Sequence, residues 1–247
     1  MNIKLWFKRK FRTFYYYFFD KMTVRISKPE ALAGSKWISN KHYGRAYFKG
    51  YYEPEITEYL IESLQDSDVF YDVGAHCGYF SLLASKICKE GSIVSFEPFP
   101  PNFDFLNKIR NLNYTERWAI VNKAISNVSG QIGFQQGKTT STGKVSNDSS
   151  FLVDKVNLDT FIAKTGLTPT VIKIDVEGHA DKVLEGFRTF ELLPNCRLLI
   201  ELHENSNERS YIIDRFRKKY RILNIKGQES NLEKERPSHV LIEALNT

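Results

Sequence analysis

The stretch Val69-Phe-Tyr-Asp-Val-Gly-Ala-His-Cys-Gly-Tyr-Phe-Ser-Leu-Leu83 constrains the chain more than any other, because its apolar spacing changes partway along. Residues 69 to 73 are β-branched and aromatic, as in a short buried strand. Beyond Gly78, Phe80, Leu83, Ala84 and Ile87 recur three or four apart, the spacing of one helix face. Gly74 and Gly78 stand where the backbone must turn sharply or lie against a ligand. The turn therefore feeds a helix N-terminus, whose free N–H groups and dipole favour polar or anionic ligand groups. A small-molecule crevice is the reading this segment supports.

The next stretch, Ser92-Ile-Val-Ser-Phe-Glu97, reads as a second buried strand that ends in a carboxylate and is stopped by Pro98. Nucleotide-binding α/β folds place an acid on a ribose at about this interval after the glycine turn. Three residues separate Gly74 from Gly78, and no third glycine follows at the dinucleotide spacing. The pattern argues for a nucleoside without a pyrophosphate, and against a nicotinamide-dependent oxidoreductase.

Strand and helix patterns alternate through the rest of the chain, which predicts a parallel sheet covered by helices. Glu53 and Pro54 read as an N-cap and a first helical proline, ahead of a face formed by Ile56, Tyr59, Leu60 and Leu64. A helix is expected from about Asn102 to Leu112, then a third strand at 118–121. Asn122 and Ala124 follow that strand's end and are cofactor-side candidates. Residues 130–156 read as an inserted hairpin with a polar, glycine-containing tip. Asn157 and Asp159 can cap a short helix. A fourth strand at 171–175 ends in Asp175, and Gly178 opens the helix that follows. A fifth strand, 197–203, ends near His203, and a helix marked by Tyr211, Ile212 and Phe216 precedes the last two strands, 220–225 and 239–244.

Taken together, Asp72-Val-Gly-Ala-His-Cys-Gly-Tyr-Phe-Ser81, Phe96-Glu97-Pro98, Asn122 to Ser126, Leu158-Asp159 and Ile174-Asp-Val-Glu-Gly178 resemble the FkbM family of class I S-adenosylmethionine-dependent methyltransferases. The resemblance covers roughly residues 50 to 205. It implies a doubly wound, mostly parallel, seven-stranded Rossmann-like α/β sheet whose last strand enters antiparallel. It also implies S-adenosylmethionine as cofactor, with the methionine portion at Gly74–Gly78 and the ribose hydroxyls on Glu97. Asp72, Gly74, Ala75, His76, Gly78, Glu97, Asn122, Ala124 and Asp175 form the expected cofactor set, with Tyr51, Tyr52 and Glu53 as contributors from the preceding segment. One departure stands out: Ala180 occupies a position where the family usually has Glu.

Methyl transfer to a hydroxyl needs donor and acceptor held in line and a base to take the proton. Asp175, Glu177, His179 and His203 fall at or just after the ends of strands four and five. Histidine's unperturbed pKa near 6.5 suits the task, so His203 is the expected base, with Asp175 orienting and Glu177 as a further catalytic candidate. Asp175, Glu201 and His203 have no metal-ligand spacing signature, and no metal is expected. The fourth strand ends in Asp175-Val-Glu-Gly rather than an Asn/Asp-Pro-Pro-aromatic motif, which argues against base-nitrogen acceptors. The resemblance implies O-methylation of a natural product or a sugar, with a glycan or glycolipid hydroxyl leading. The competing class is a non-catalytic S-adenosylmethionine-binding or membrane-adaptor protein.

At 247 residues and 42% hydrophobic content the chain suits one α/β domain with additions. Residues 51–247 are the expected methyltransferase domain and 1–50 an extension. A formal charge of +6 and a pI near 9.0 describe a basic surface, without the clustering that would point to nucleic acid. Cys77, Cys88 and Cys196 are far apart and odd in number, which suits a reducing cytoplasm. Within residues 1–22, Ile3, Phe7, Phe11, Phe14, Phe18 and Met22 trace one helical stripe beside Lys4, Lys8 and Arg12. This amphipathic segment either packs on the domain or lies peripherally on an anionic membrane. It is too short in apolar length to span a bilayer.

Overall fold

In the computed structural model the described residues are 22–39, 43–135, 137, 143–145, 149, 151–204 and 207–245. The amphipathic stripe of residues 1–21 lies outside them.

The expected strand–glycine–helix unit is present. A short hairpin, β1 (Thr23–Arg25) and β2 (Lys36–Ile38), precedes α1 (Arg45–Lys49) and α2 (Pro54–Ser63). Then come β3 (Val69–Val73), α3 (Tyr79–Ile87), β4 (Ser92–Phe96), α4 (Pro100–Asn113) and β5 (Trp118–Val121). The insertion contributes β6 (Ala124–Ile125), β7 (Gly130–Gln135), β8 (Lys144–Val145) and β9 (Leu152–Val156), joined in the order β6-β9-β7-β8. The chain continues through α5 (Leu158–Thr165), β10 (Val171–Ile174), α6 (Ala180–Glu185), β11 (Arg197–Glu201), α7 (Glu208–Phe216), β12 (Tyr220–Leu223) and β13 (His239–Ala244).

The main sheet has seven strands in the order β12-β13-β11-β10-β3-β4-β5. β3, β4, β5, β10 and β11 pair in parallel, and β13 is antiparallel to both β11 and β12. This is the doubly wound, mostly parallel sheet expected, with the last strand reversed. Apolar clusters lie on its two faces: Phe70, Leu82, Leu83, Ile93 and Leu106 belong to one, and Tyr71, Val94, Ile172, Ile174 and Leu198 to the other. The central strands are thus buried on both sides, which is why they read as nearly continuous apolar runs.

Local differences from the sequence reading have physical causes. Residues 23–52 lack a period yet carry a hairpin and a helix, and their Ile26, Leu32, Trp37, Tyr43, Tyr47 and Phe48 join the same cluster as Phe70 and Leu82. Tertiary packing supplies the order that no local pattern announces. α4 starts two residues earlier than expected, because Pro100 and Pro101 suit the first helical turn. Asn157 caps α5 by accepting from the Thr160 N–H at 2.7 Å, whereas Asp159 reaches across to the Arg188 and Thr189 N–H groups at 3.0 Å. Glu53 precedes α2 but makes no side-chain cap bond; its side chain turns towards the cleft described next.

Candidate functional site

A cleft of about 300 Å³ opens at the C-terminal ends of β3, β4, β10 and β11, the edge where open α/β sheets bind ligands. Gly74, His76, Glu97, Ala124, Asp175 and Glu177 of the expected set line it, together with Tyr52 and Glu53. The remaining expected residues are near it without lining it. Asp72 lies beneath, 1% exposed, accepting from Ser81 Oγ at 2.5 Å. Gly78 is the N-cap of α3, and Ala75 and Cys77 are buried in the turn. Asn122 steadies the rim by donating to the Glu97 and Pro98 carbonyls at 2.8 and 3.1 Å. Tyr51 points to solvent, 56% exposed.

At one end of the cleft, backbone geometry sets the shape. Gly74 has φ +83°, and a Cβ there would fall 1.8 Å from the Asp175 carbonyl oxygen, so the turn and the end of β10 touch main chain to main chain. The Gly74 and Ala75 N–H groups both donate to the Phe96 carbonyl at 3.0 Å, tying the turn to β4. Glu97, next in chain, is held in place by the His76 N–H at 2.8 Å, the Phe99 N–H at 2.9 Å and Asn102 Nδ2 at 3.3 Å. Burial pushes its carboxyl up to about 7 despite those donors. Oε1 accepts from both Phe99 and Asn102, whereas Oε2, which accepts from the His76 N–H, keeps lone-pair capacity for a ligand hydroxyl. A glycine cradle that no side chain can enter, beside a fixed carboxylate, fits the ribose and methionine portions of S-adenosylmethionine.

At the other end, side chains from separate elements converge. His203 Nε2 lies 3.6 Å from Glu177 Oε2, 3.9 Å from Glu201 Oε1 and 4.0 Å from Asp175 Oδ1, and its Nδ1 lies 3.6 Å from Glu208 Oε2. Glu208 beside the ring, then Glu201 and Asp175, outweigh burial and raise the imidazole to about 9. His203 is therefore a cation at neutral pH, inside a carboxylate cage. The donor atoms of Asp175, Glu177 and His203 come within 4.8 Å of one another, as do those of Glu53, Glu201 and His239. With His203 protonated, the first group is an ion-pair network. Asp175 is held below the usual carboxylate range: burial alone would raise it, but the charge and hydrogen bond of Lys173, aided by His203, prevail.

Sequence reasoning missed Glu208 and Lys173. Glu208 is fully buried and accepts from the Ala180 N–H at 3.0 Å and the His203 N–H at 2.8 Å. It thus places a carboxylate at the position where Ala180 departs from the family pattern. Its place in α7 gives no spacing signal, since it reaches the site only through the packing of α6 against α7. His179 also lines the cleft, with Nε2 3.0 Å from Ser126 Oγ, and burial lowers its pKa. His76, lowered by burial to about 4, is neutral.

The backbone adds a second signature. Of the four non-glycine residues with positive φ among the described residues, Glu53 (38°), His76 (51°) and Glu177 (53°) all line the cleft. Such conformations cost of order 1–3 kcal/mol each and gather at functional sites.

A family model described as the methyltransferase FkbM domain matches residues 72–223. The hexuronic acid methyltransferase AglP of Haloferax volcanii is 29% identical over 155 residues, 61% of this chain and 62% of that protein. The chain thus matches less than two thirds of that relative's length. Among solved structures, methyltransferase FkbM from Methylobacillus flagellatus KT gives a TM-score of 0.49 at 20% identity, covering 72% of this chain and 44% of that one. A putative O-methyltransferase from Klebsiella pneumoniae gives 0.45 at 11% identity, covering 77% and 78%. The family match spans well over half of the chain and contains both the glycine turn and the Asp175–Gly178 segment, and the mostly parallel seven-stranded sheet with its last strand reversed is the one the family resemblance implies: this chain belongs to the FkbM methyltransferase family.

Proposed function

We propose that the chain is an S-adenosylmethionine-dependent O-methyltransferase acting on a hydroxyl of a glycan, glycolipid or related natural product. The observation that carries this reading is the joining, in one cleft, of a glycine cradle with Glu97 and a carboxylate-lined strand edge. Bound in the cradle, the cofactor would supply an electrophilic methyl group on a sulfonium. The chain's residues supply the rest. Glu97 and the Gly74 turn orient the ligand, Tyr47 and Tyr52 wall it from water, and Asp175 fixes the reacting end. A hydroxyl acceptor needs a base, and the cleft offers carboxylates: Glu53, Asp175, Glu177 and Glu201.

His203, cationic below about pH 9, is poorly suited to take a proton. We assign that role to Glu177 Oε2, 3.6 Å from His203 Nε2, with the imidazolium stabilising the carboxylate. The sugar-directed name of the archaeal relative supports a glycan acceptor. Among the described residues no helix is long and apolar enough to cross a membrane, and peripheral membrane contact through residues 1–22 belongs to the proposal for a glycolipid acceptor.

Calorimetric titration with S-adenosylmethionine and with NAD tests the cofactor, and binding of NAD alone would overturn the assignment. Transfer of labelled methyl to a glycan fraction that is lost when free hydroxyls are acetylated tests the acceptor.

A further inference from the structure

β10 contains one charged residue, Lys173, in a strand that is otherwise Val and Ile and buried throughout. Alternation places Lys173 with Val171 on the face that packs against Phe70 and Phe80, where an apolar side chain would be ordinary. Its side chain is only 3% exposed. A lysine taken alone into such surroundings costs several kcal/mol, so its partners define what it does.

Those partners lie at different depths, the Asp72 side chain 1% exposed and the Asp175 side chain 23%. Nζ donates to Asp175 Oδ2 at 3.2 Å, stands 3.9 Å from Asp72 Oδ1, and lies 5.1 Å over the Phe80 ring. Asp72 is paired in register with Lys173 across β3 and β10, and is itself fixed from behind. Ser81 Oγ donates to its Oδ2, that hydroxyl meets Ser95 Oγ at 2.6 Å, and Trp118 Nε1 donates to Ser95 Oγ at 2.7 Å. One side of the lysine is therefore anchored in the core. The other holds the carboxylate that closes the cleft floor, at the residue whose carbonyl touches Gly74.

We propose that Lys173 is a positioning residue: anchored on Asp72, its ammonium holds the Asp175 carboxylate by Oδ2 in one orientation, so that the opposite edge is presented to a cationic ligand centre. This rests on the cofactor reading above, which supplies such a centre as the α-ammonium group that S-adenosylmethionine and S-adenosylhomocysteine share. The other charged groups that face the pair are Glu53 from the start of α2, Glu201 from the end of β11, and His203 beyond Asp175. His76, on the glycine turn, is neutral. With Lys173 removed, the buried Asp72 and the partly exposed Asp175 become neighbouring carboxylates without a common counter-ion. Such a pair takes up a proton and lets Asp175 rotate.

The test is Lys173→Met beside Lys173→Arg, with the dissociation constant of S-adenosylhomocysteine measured by calorimetry from pH 6.5 to 8.5. Glu97 titrates in every variant, so its contribution cancels in the ratio of mutant to wild type. For Lys173→Met that ratio should grow as pH falls across this range, by up to about tenfold per pH unit below the pKa of the proton taken up. For Lys173→Arg it should stay flat. A Lys173→Met ratio that is constant with pH would reduce Lys173 to packing and overturn the proposal, even if affinity drops. Should Lys173→Met fail to fold, Lys173→Gln removes the charge while keeping a donor to Asp175 and leaving both carboxylates in place, and the same rise in ratio is expected. Carboxyl ¹³C titration, with Asp175→Asn to assign the signal, separates this proposal from the cofactor reading. If wild type binds no S-adenosylhomocysteine but Asp175 titrates below the usual range in wild type and above it without Lys173, the cofactor reading fails and the positioning role stands. Equal titration in both proteins overturns the positioning role.

Discussion

The two ends of the cleft are built by different means. The Gly74–Glu97 end is made of main chain: a turn, two strand ends and a carboxylate held by neighbouring N–H groups, all within 29 residues from Gly74 to Asn102. The Asp175–His203 end is made of side chains from β10, the loop after it, β11 and α7, held by opposed charges. Main-chain geometry tolerates no added atom and is indifferent to pH except through the Glu97 carboxyl it holds. A charge network tolerates isosteric exchange but depends on protonation. The two ends should therefore fail differently, and each experiment below sets one against the other.

The largest effect is expected at the main-chain end. Gly74→Ala combines a φ of +83° with a Cβ placed 1.8 Å from the Asp175 carbonyl oxygen. Neither backbone can yield cheaply, so a loss of roughly 3–5 kcal/mol or failure to fold is expected, in the range of severe strain and overpacking. Chemical denaturation reads this, and near-wild-type stability would show that the turn is not rigid. Next is Glu177→Gln, which keeps shape and removes a base. Turnover should fall by about 10² to 10⁴, with cofactor affinity little changed. If His203→Ala produced that fall instead and Glu177→Gln did not, the imidazole would be the base after all.

Glu208→Gln comes third. It leaves one acceptor oxygen for the two N–H groups of Ala180 and His203, which Glu208 accepts on separate oxygens, and it loses the charge, so His203 should titrate well below 9 at a stability cost of about 1–3 kcal/mol. In the wild type, His203 has a folded pKa raised above its unfolded 6.5. Its contribution to stability is full below about 6.5 and is lost as pH rises to about 9. Melting temperature followed across that window should fall in wild type and stay flatter in Glu208→Gln.

Glu97→Gln has the smallest effect, roughly 1–2 kcal/mol in cofactor affinity. Glu97 is also raised, to about 7, so the fold favours its protonated form, and its contribution to stability is lost as pH rises from the ordinary carboxylate range through 7. A ligand diol donates best to the ionised form. Wild-type affinity should therefore strengthen from pH 6 to 8 while the unliganded protein weakens; in Glu97→Gln the affinity trend should vanish and the stability trend should shrink to the part that His203 contributes. Persistence of the affinity trend would remove Glu97 from the ligand contact.

The same contrast explains what could be read from sequence. Strands β3, β4 and β10 are buried on both faces and so spell out apolar runs. Gly74 and Gly78 mark positive φ, and Glu97 follows its strand directly; each of these signals is local. Asp175 and Glu177 were visible for the same reason, as strand-end residues. The protonation of His203 was not, because it depends on Glu208, which packs in from another helix. Nor was the role of Lys173, which looks like an interruption of a strand until Asp72 is seen beside it. The hairpin and helix within 23–52 were hidden likewise, since Trp37 and Phe48 find their partners across the fold.

The reversed strand β13 has a consequence for how the molecule comes together. It lies between β11 and β12, so β12 joins the sheet only through a strand that follows it by 16 residues, from Leu223 to His239. Its first residue pairs with Glu201 in register, and His239 Nε2 stands 3.6 Å from Glu201 Oε2. A chain emerging during synthesis could complete the glycine turn and β4 early, yet would leave β11 as an open edge until β13 arrived. The Glu201–His239 contact would then form late, and its onset in a refolding experiment would report arrival of the final strand, not collapse of the core.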